Sequence, residues 1–386
     1  MARKLGMYLT PVLVAALLAP AGTAMARTEA KSPAACPAWT HITSPNTGTG
    51  DNNLTGVAAT SADDAWAVGY AFFGVSTKTL AEHWNGKSWR IVKSANTSTG
   101  DEFKAIYTVS STDAWAVGSY FNGTAGRNLI EHWNGKSWAV IKSPNLGAGS
   151  NELTSIRGNS ANDIWAVGDA VTSYPIAKTV VLHWNGKHWR LVSSPSVPAE
   201  PNFLTGVRPL SPAQAWAVGR QVTSNASKTL ILHWSKNHWR IVSSPNVGTN
   251  TNSLAGVRAS SATDAWAIGD HYNGKVDRTL ILHWNGKQWR VAPSPNAGKG
   301  SNDLGAIGGS SASNLYAVGL TITGSTSKVL IAHWNGKHWG TVAGQNPGTA
   351  GNDLDAIYTQ SPTSTWAVGD FSNGHFDRTL IEHCAG

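Results

Sequence analysis

Ala65-Trp-Ala-Val-Gly69, followed by His83-Trp-Asn-Gly-Lys-Ser-Trp89, is the stretch that decides how this chain folds. The first element returns seven times, at Trp66, Trp115, Trp165, Trp216, Trp266, Tyr316 and Trp366, with a spacing of 49 to 51 residues. The second element travels with it. A chain that repeats at this period is made of small supersecondary units, none of which can bury both faces without a neighbour.

The unit can be read in its second copy. Phe103–Tyr107, Ala114–Gly118, Asn128–Trp133 and Trp138–Lys142 read as four short strands. Asn134-Gly135 between the last two predicts a tight hairpin, because both residue types accept positive φ. The Pro/Gly/Asn stretch 143–151 then predicts a crossing to the next unit.

The chain ends specify how the units close. The seventh unit stops at Cys384, inside its third strand, while Trp39 to Asn46 matches Trp138 to Asn145 at the other end. The expected fold is therefore all-β, a seven-bladed β-propeller of four-stranded blades over 37–386, closed by pairing of the N-terminal strand with the last blade. In that alignment Cys384 takes the place of Trp133 and Cys36 that of Gly135, on two arms of one hairpin. The predicted disulfide closes a loop of nearly the whole domain, stabilising it on the order of 4–5 kcal/mol in the chain-entropy model.

These repeats resemble the kelch-like, tryptophan-rich propellers of secreted bacterial proteins. The kelch pattern has a double glycine after its second strand, whereas a single Gly follows Trp-Ala-Val here. WD-type propellers show Trp-Asp where this chain has Trp-Asn-Gly. The resemblance implies a fold and carries no activity across, since propellers host lectins, lyases, oxidases and scaffolds alike.

Residues 1–26 have Arg3 and Lys4, an apolar run from Tyr8 to about Pro20, and the small-residue close Ala24-Met-Ala26, which together predict a secretory signal peptide. The run is too short for a permanent membrane span. Residues 27–36 read as a linker. Removing the leader takes away two of the 30 basic residues and none of the 22 acidic ones, leaving a net charge of +6. That excess suits an anionic wall polymer, and export argues against nucleic acid. Localisation is expected to be extracellular, and the protein monomeric.

All 19 tryptophans fall on framework positions. Packing between blades is one reading of the hairpin tryptophans; stacking on sugar rings is the other. Trp84 and Trp89 are expected on a diagonal of one face, with Glu82 opposite Trp89. One histidine recurs per unit, from His83 to His383, and predicts a framework bond tying strand to turn. His183/His188, His233/His238 and His333/His338 are expected to face each other, but two ligands hold a metal weakly, and neither metal nor cofactor is called for. Asp64, Asp113, Asp163 and Asp264 read as turn formers.

The innermost strands carry, four places after their leading Leu or Phe, Ala58, Tyr107, Arg157, Arg208, Arg258, Gly308 and Tyr358. Arg157, Arg208 and Arg258, flanked by Tyr107 and Tyr358, are the expected ligand-binding residues, since guanidinium forks bind carboxylate, sulfate or phosphate bidentately. Asp270 with Asp277, and Asp370 with Asp377, are expected to oppose each other across small hairpins, held by Arg278 and Arg378. Binding is expected on the face where loops vary between blades. The resulting expectation is a non-enzymatic binding propeller for extracellular or cell-surface carbohydrate. The alternatives are a polysaccharide lyase or glycoside hydrolase, or a scaffold for another surface protein.

Overall fold

The computed structural model describes Cys36 and residues 38–385 apart from residue 174; the expected leader and residues 27–35 of the linker lie outside the described residues. The described residues form strands β1 to β28 in seven four-stranded antiparallel sheets. In the second, β6 (Asp101–Ser110) pairs with β7 (Asp113–Phe121), β7 with β8 (Gly126–Trp133) and β8 with β9 (Trp138–Val140). The seventh runs in the order β1 (Thr40–His41), β28 (Asp377–Ala385), β27 (Ser364–Ser372), β26 (Gly351–Ser361), with β1 and β28 pairing in register through Thr40–His383 and His41–Glu382. The first segment therefore supplies the last blade's outer strand, and Cys36 is disulfide-bonded to Cys384 with the Cα atoms 6.0 Å apart.

The single glycine of Ala-Trp-Ala-Val-Gly is dictated by a bulge. The register of the innermost strand slips by one residue between Leu54 and Gly56, and again at the matching place in every blade. The slip brings the Asn53 carbonyl oxygen so close to Gly69 that a Cβ there would sit inside it. Any other residue would push the second strand off the first.

Between blades the contact is aromatic. Trp66 of the first blade meets Trp133 and Trp138 of the second at ring-centroid distances of 5.0 and 5.1 Å, the latter edge-on at 86°. The same trio recurs around the ring, down to Trp366 with Trp84 and Trp89 of the first blade at 5.4 and 5.3 Å. At one joint Tyr316 stands in for the second-strand tryptophan, packing on Trp39 at 5.8 Å, and Cys384 stands where the third-strand ring would be. The Tyr316 hydroxyl accepts the Cys36 N–H at 2.7 Å, which ties the disulfide to this joint. Packing between blades is thus the role of all three rings of each trio, of which the second- and fourth-strand rings are buried. The third-strand rings are half-buried, and each donates its indole N–H to a first-turn carbonyl, as Trp84 does to Ala62 at 3.1 Å.

The recurrent histidine lies against the second-strand aromatic, from Trp66–His83 at 4.5 Å to Trp366–His383 at 3.7 Å. Its Nε2 meets the turn aspartate in four blades, at 2.6 to 2.9 Å, and Asn314 or Ser364 in two others. The aspartates are therefore more than turn formers, since each holds a histidine that braces an aromatic joint.

The third-to-fourth hairpins differ from the expected register. Trp84 lies directly opposite Trp89, and Glu82 opposite Ile91, because the loop is four residues long. The Asn85 carboxamide accepts the N–H groups of Lys87 and Ser88, so the asparagine closes the loop with its side chain while Gly86 alone takes positive φ. For the same reason His183 pairs with Arg190 and His333 with Gly340, while His233 pairs with Arg240 across a two-residue turn in which Lys236 and Asn237 both take positive φ, so the second histidines do not face the first.

Three blades bury a glutamate on the third strand where the others carry Leu182, Leu232, Leu282 or Ala332. Glu131 accepts the Ala95 N–H at 2.9 Å and Glu382 the Gln345 N–H at 3.0 Å. The matching linker residue is proline at Pro144, Pro195, Pro245 and Pro295, which has no N–H to offer, and there an apolar residue replaces the acid. Glu82 breaks the rule. Its linker holds Pro45, both carboxyl oxygens are buried without a partner, and burial pushes its pKa up to about 8.

Two outcomes are expected. Cys384→Ser should lower the thermal midpoint, by the equivalent of about 4–5 kcal/mol in the chain-entropy model, as should reduction of the wild type; an unchanged midpoint under reduction would refute the closure role. Because the folded Glu82 holds its proton well above the unfolded value, stability falls as pH rises from about 4.5 to about 8. Glu82→Gln should therefore raise the midpoint at pH 8 to 9 and change it little near pH 4.5, read by calorimetry across that range.

Candidate functional site

The seven innermost strands, β2 (Asn52–Ser61), β6, β10 (Asn151–Ser160), β14 (Asn202–Ser211), β18 (Asn252–Ser261), β22 (Asn302–Ser311) and β26 (Gly351–Ser361), surround a central channel. Threonine hydroxyls stitch several of them together: Thr55, Thr154 and Thr205 donate to Phe103, Leu204 and Leu254 carbonyls of the following blade at 2.7 to 2.8 Å. At the same register position blades two and seven carry Lys104 and Asp355, which also line the narrow waist.

Three residues further along each strand, the channel widens into a cavity of about 290 Å³ lined by Tyr107, Arg157, Arg208, Arg258 and Tyr358. The structure thus brings all five expected site residues together. Arg157 stands 5.6 Å over the Tyr358 ring and donates to the Ile106 carbonyl at 3.3 Å; Arg258 donates to the Gly309 carbonyl at 2.8 Å. The Nε atoms of Arg208 and Arg258 are buried with no partner, and among the described residues none of the three guanidinium groups forms a salt bridge. Burial, then the charges of Arg258 and Arg157, bring the Arg208 pKa down to about 9. Desolvated cations that repel one another make a site that an anion would relieve.

This cavity opens toward the turns joining first to second strands, since Arg208 and Arg258 also border Ser310, Ser311 and Ala312. That is the face on which blades resemble one another, opposite the variable loops where binding was expected. The half-buried third-strand tryptophans lie on the same face, tied to the same turns.

The other mouth is acidic, and sequence reasoning missed it. Glu102, Glu152, Asp303 and Asp353 start the innermost strands, and Asp169, Asp270 and Asp370 face that rung from the second strands. Lys104 binds Glu102 at 2.9 Å and Glu152 at 3.5 Å. Burial, then mutual repulsion, raises Asp370 to about 8 and Asp270 to about 7. The expected aspartate pairs do not form: Asp270 lies opposite Thr279 and Asp370 opposite Thr379, while Asp277 and Asp377 pair with Tyr272 and Ser372. Arg278 and Arg378 donate to linker carbonyls instead of to these carboxylates. Among the described residues no cluster of His, Cys, Asp or Glu suits a metal ion, and no helix is long and apolar enough to cross a membrane.

No protein-family model matches the chain, and no curated protein matches it either. Solved structures do. YCF48 bound to D1 peptide is 14% identical, covering 90% of this chain and 97% of its own with a TM-score of 0.54. A xyloglucanase of the GH74 family from Xanthomonas campestris is 14% identical over 87% of this chain and 54% of its own, at a TM-score of 0.53. An ulvan lyase of polysaccharide lyase family 25, bound to -[GlcA(1-4)Rha3S]-, is 9% identical over 86% of this chain and 94% of its own, at a TM-score of 0.53. At these identities the likeness defines the class, a seven-bladed β-propeller.

If the arginine mouth is strained by uncompensated charge, sulfate or phosphate should raise the thermal midpoint of the wild type beyond the effect of chloride at equal ionic strength. Arg208→Met should raise the midpoint at low salt and abolish that anion-specific increment. Equal responses of the two proteins would show the arginines to be already neutralised.

Proposed function

We propose that this protein is a secreted, non-enzymatic binding propeller whose channel mouth takes an anionic group of an extracellular carbohydrate. The observation that carries the reading is the unpaired trio Arg157, Arg208 and Arg258, held by β-strands around one cavity with two tyrosines and no carboxylate partner. Guanidinium forks suit uronate and sulfate, and tyrosine rings suit the faces of sugars. The half-buried tryptophans on the same face extend the surface a polymer would cross. The acidic, sulfated sugar bound by the ulvan lyase supports this ligand class by analogy of fold alone.

A second reading rests on the acidic mouth. Asp370, whose pKa is about 8, keeps its proton at neutral pH, the form a general acid needs to protonate a leaving glycosidic oxygen. The two readings separate cleanly. Titration calorimetry with sulfated and uronate-bearing oligosaccharides should show binding that Arg208→Ala weakens about tenfold or more, as loss of a charge-assisted contact implies, with polymer length unchanged on prolonged incubation. New reducing or unsaturated ends that disappear in Asp370→Asn would instead establish the enzyme.

A further inference from the structure

The arginine cavity has a neighbour on its own face. A second space, of about 520 Å³, adjoins it, sharing Arg208 and Arg258 and bordered by Pro209, Leu210, Ser260 and Ser310. It lies over blades three to six. The asymmetry comes from the innermost strands. The residues that follow Arg157, Arg208, Arg258 and Gly308 are the short Gly158, Pro209, Ala259 and Gly309, whereas blades two and seven place Tyr107-Thr108 and Tyr358-Thr359 at the same two positions. Blade one contributes Ala58, and Arg157 covers that side: its guanidinium donates to the blade-two Ile106 carbonyl at 3.3 Å and stands 5.6 Å over the blade-seven Tyr358 ring.

The three arginines are therefore unequal. Arg157 is committed to Ile106 and Tyr358, and Arg258 gives one Nη to the Gly309 carbonyl at 2.8 Å. Arg208 lines both spaces without a hydrogen bond among the described residues, and of its three nitrogens only Nε is sealed from solvent. Its Nη groups are left for a ligand. No carboxylate lines either space, so the selection is for an anion. Beneath, Val257, Ile307 and Ile357 line both the cavity and the waist, which gives the cavity an apolar floor.

We infer, on the carbohydrate reading proposed above, that this mouth recognises the end of an acidic polymer, with a terminal acidic sugar ring standing in the arginine cavity and the next sugar lying over blades three to six. Size and shape both point to an end. A carboxylate or sulfate dipped in from a chain lying across the face would leave most of a space of about 290 Å³ to water, whereas one sugar ring fills it. That volume is at the lower edge of small-molecule sites. An internal unit needs two ways out. The adjoining space supplies one, and Tyr107, Tyr358 and Arg157 wall the opposite side. The second sugar would set its apolar face on Pro209 and half-buried Leu210 and its hydroxyls against Ser260 and Ser310.

Two probe sets for titration calorimetry on the intact protein separate the possibilities, one built on glucuronate and one on galactose sulfate. Each contains the acidic monosaccharide, disaccharides carrying it at either end beside glucose, and a trisaccharide holding it between two glucose units. In at least one set a disaccharide should bind about tenfold more tightly than its monosaccharide, and the trisaccharide about tenfold more weakly than that disaccharide, a step of about 1.4 kcal/mol each way. Leu210→Ala, which alters the outer space, should cut the disaccharide's advantage severalfold, and Arg208→Ala should weaken every probe that binds. Equal affinity for monosaccharide and disaccharides, equal affinity for terminal and central placements, or an undiminished advantage in Leu210→Ala would each overturn end recognition and leave the carbohydrate reading standing. No binding of any acidic probe at millimolar concentration would overturn both.

Discussion

The contact on which the molecule depends is the aromatic joint between blades. A four-stranded sheet of this size buries little on its own, and the second-strand ring of each blade is enclosed by two tryptophans from the following one, as Trp66 is by Trp133 and Trp138. Edge-on aromatic pairs add about 0.5–1.5 kcal/mol each beyond the area they bury. Repeated around the circle, they couple every blade to both neighbours. The remaining recurrent residues follow from this joint. Histidine stacks on the second-strand ring, aspartate fixes the histidine, and glycine lets the second strand lie close enough to the bulged first strand for the ring to reach across.

One joint departs from the pattern, and it is where the ring closes. Tyr316 replaces tryptophan, and Cys384 replaces the third-strand ring. The smaller side chains leave space that the Cys36–Cys384 bond occupies, and the tyrosine hydroxyl receives the Cys36 N–H. A seam joining two chain ends lacks the covalent continuity of other blades. A disulfide at that place supplies it, with aromatic area given up in exchange.

Period, strand number, the joining of the ends and the gathering of five residues at one channel mouth were legible because each follows from spacing alone. What was not legible depended on side chains acting on backbone. Asn85 closes a four-residue loop with its carboxamide, which undoes the diagonal between Trp84 and Trp89, and Asn185 and Asn335 do the same to the expected pairs His183/His188 and His333/His338. The aspartate pairs failed similarly, since Asn273 Oδ1 accepts the Lys275 and Val276 N–H groups in the loop between Asp270 and Asp277. The acidic mouth escaped notice because its carboxylates come one or two per blade. Only the ring brings Glu102, Asp303 and Asp353 into one rung.

A channel with unpaired arginines at one end and crowded carboxylates at the other is electrostatically costly, and the two ends are too far apart along the innermost strands to neutralise each other directly. Both charges sit on the strands with the least freedom, fixed by threonine stitches to the next blade and by ladders to the second strand. Rigid placement prevents the guanidinium groups from turning away from one another, so their repulsion is retained rather than relaxed. The cost is borne by the aromatic joints one strand further out, whose second-strand rings back the arginine mouth: Trp165, Trp216 and Trp266 are the ladder partners of Arg157, Arg208 and Arg258. Framework and site are thereby separated by radius: the outer strands hold the circle closed, and the innermost residues are left free to differ from blade to blade.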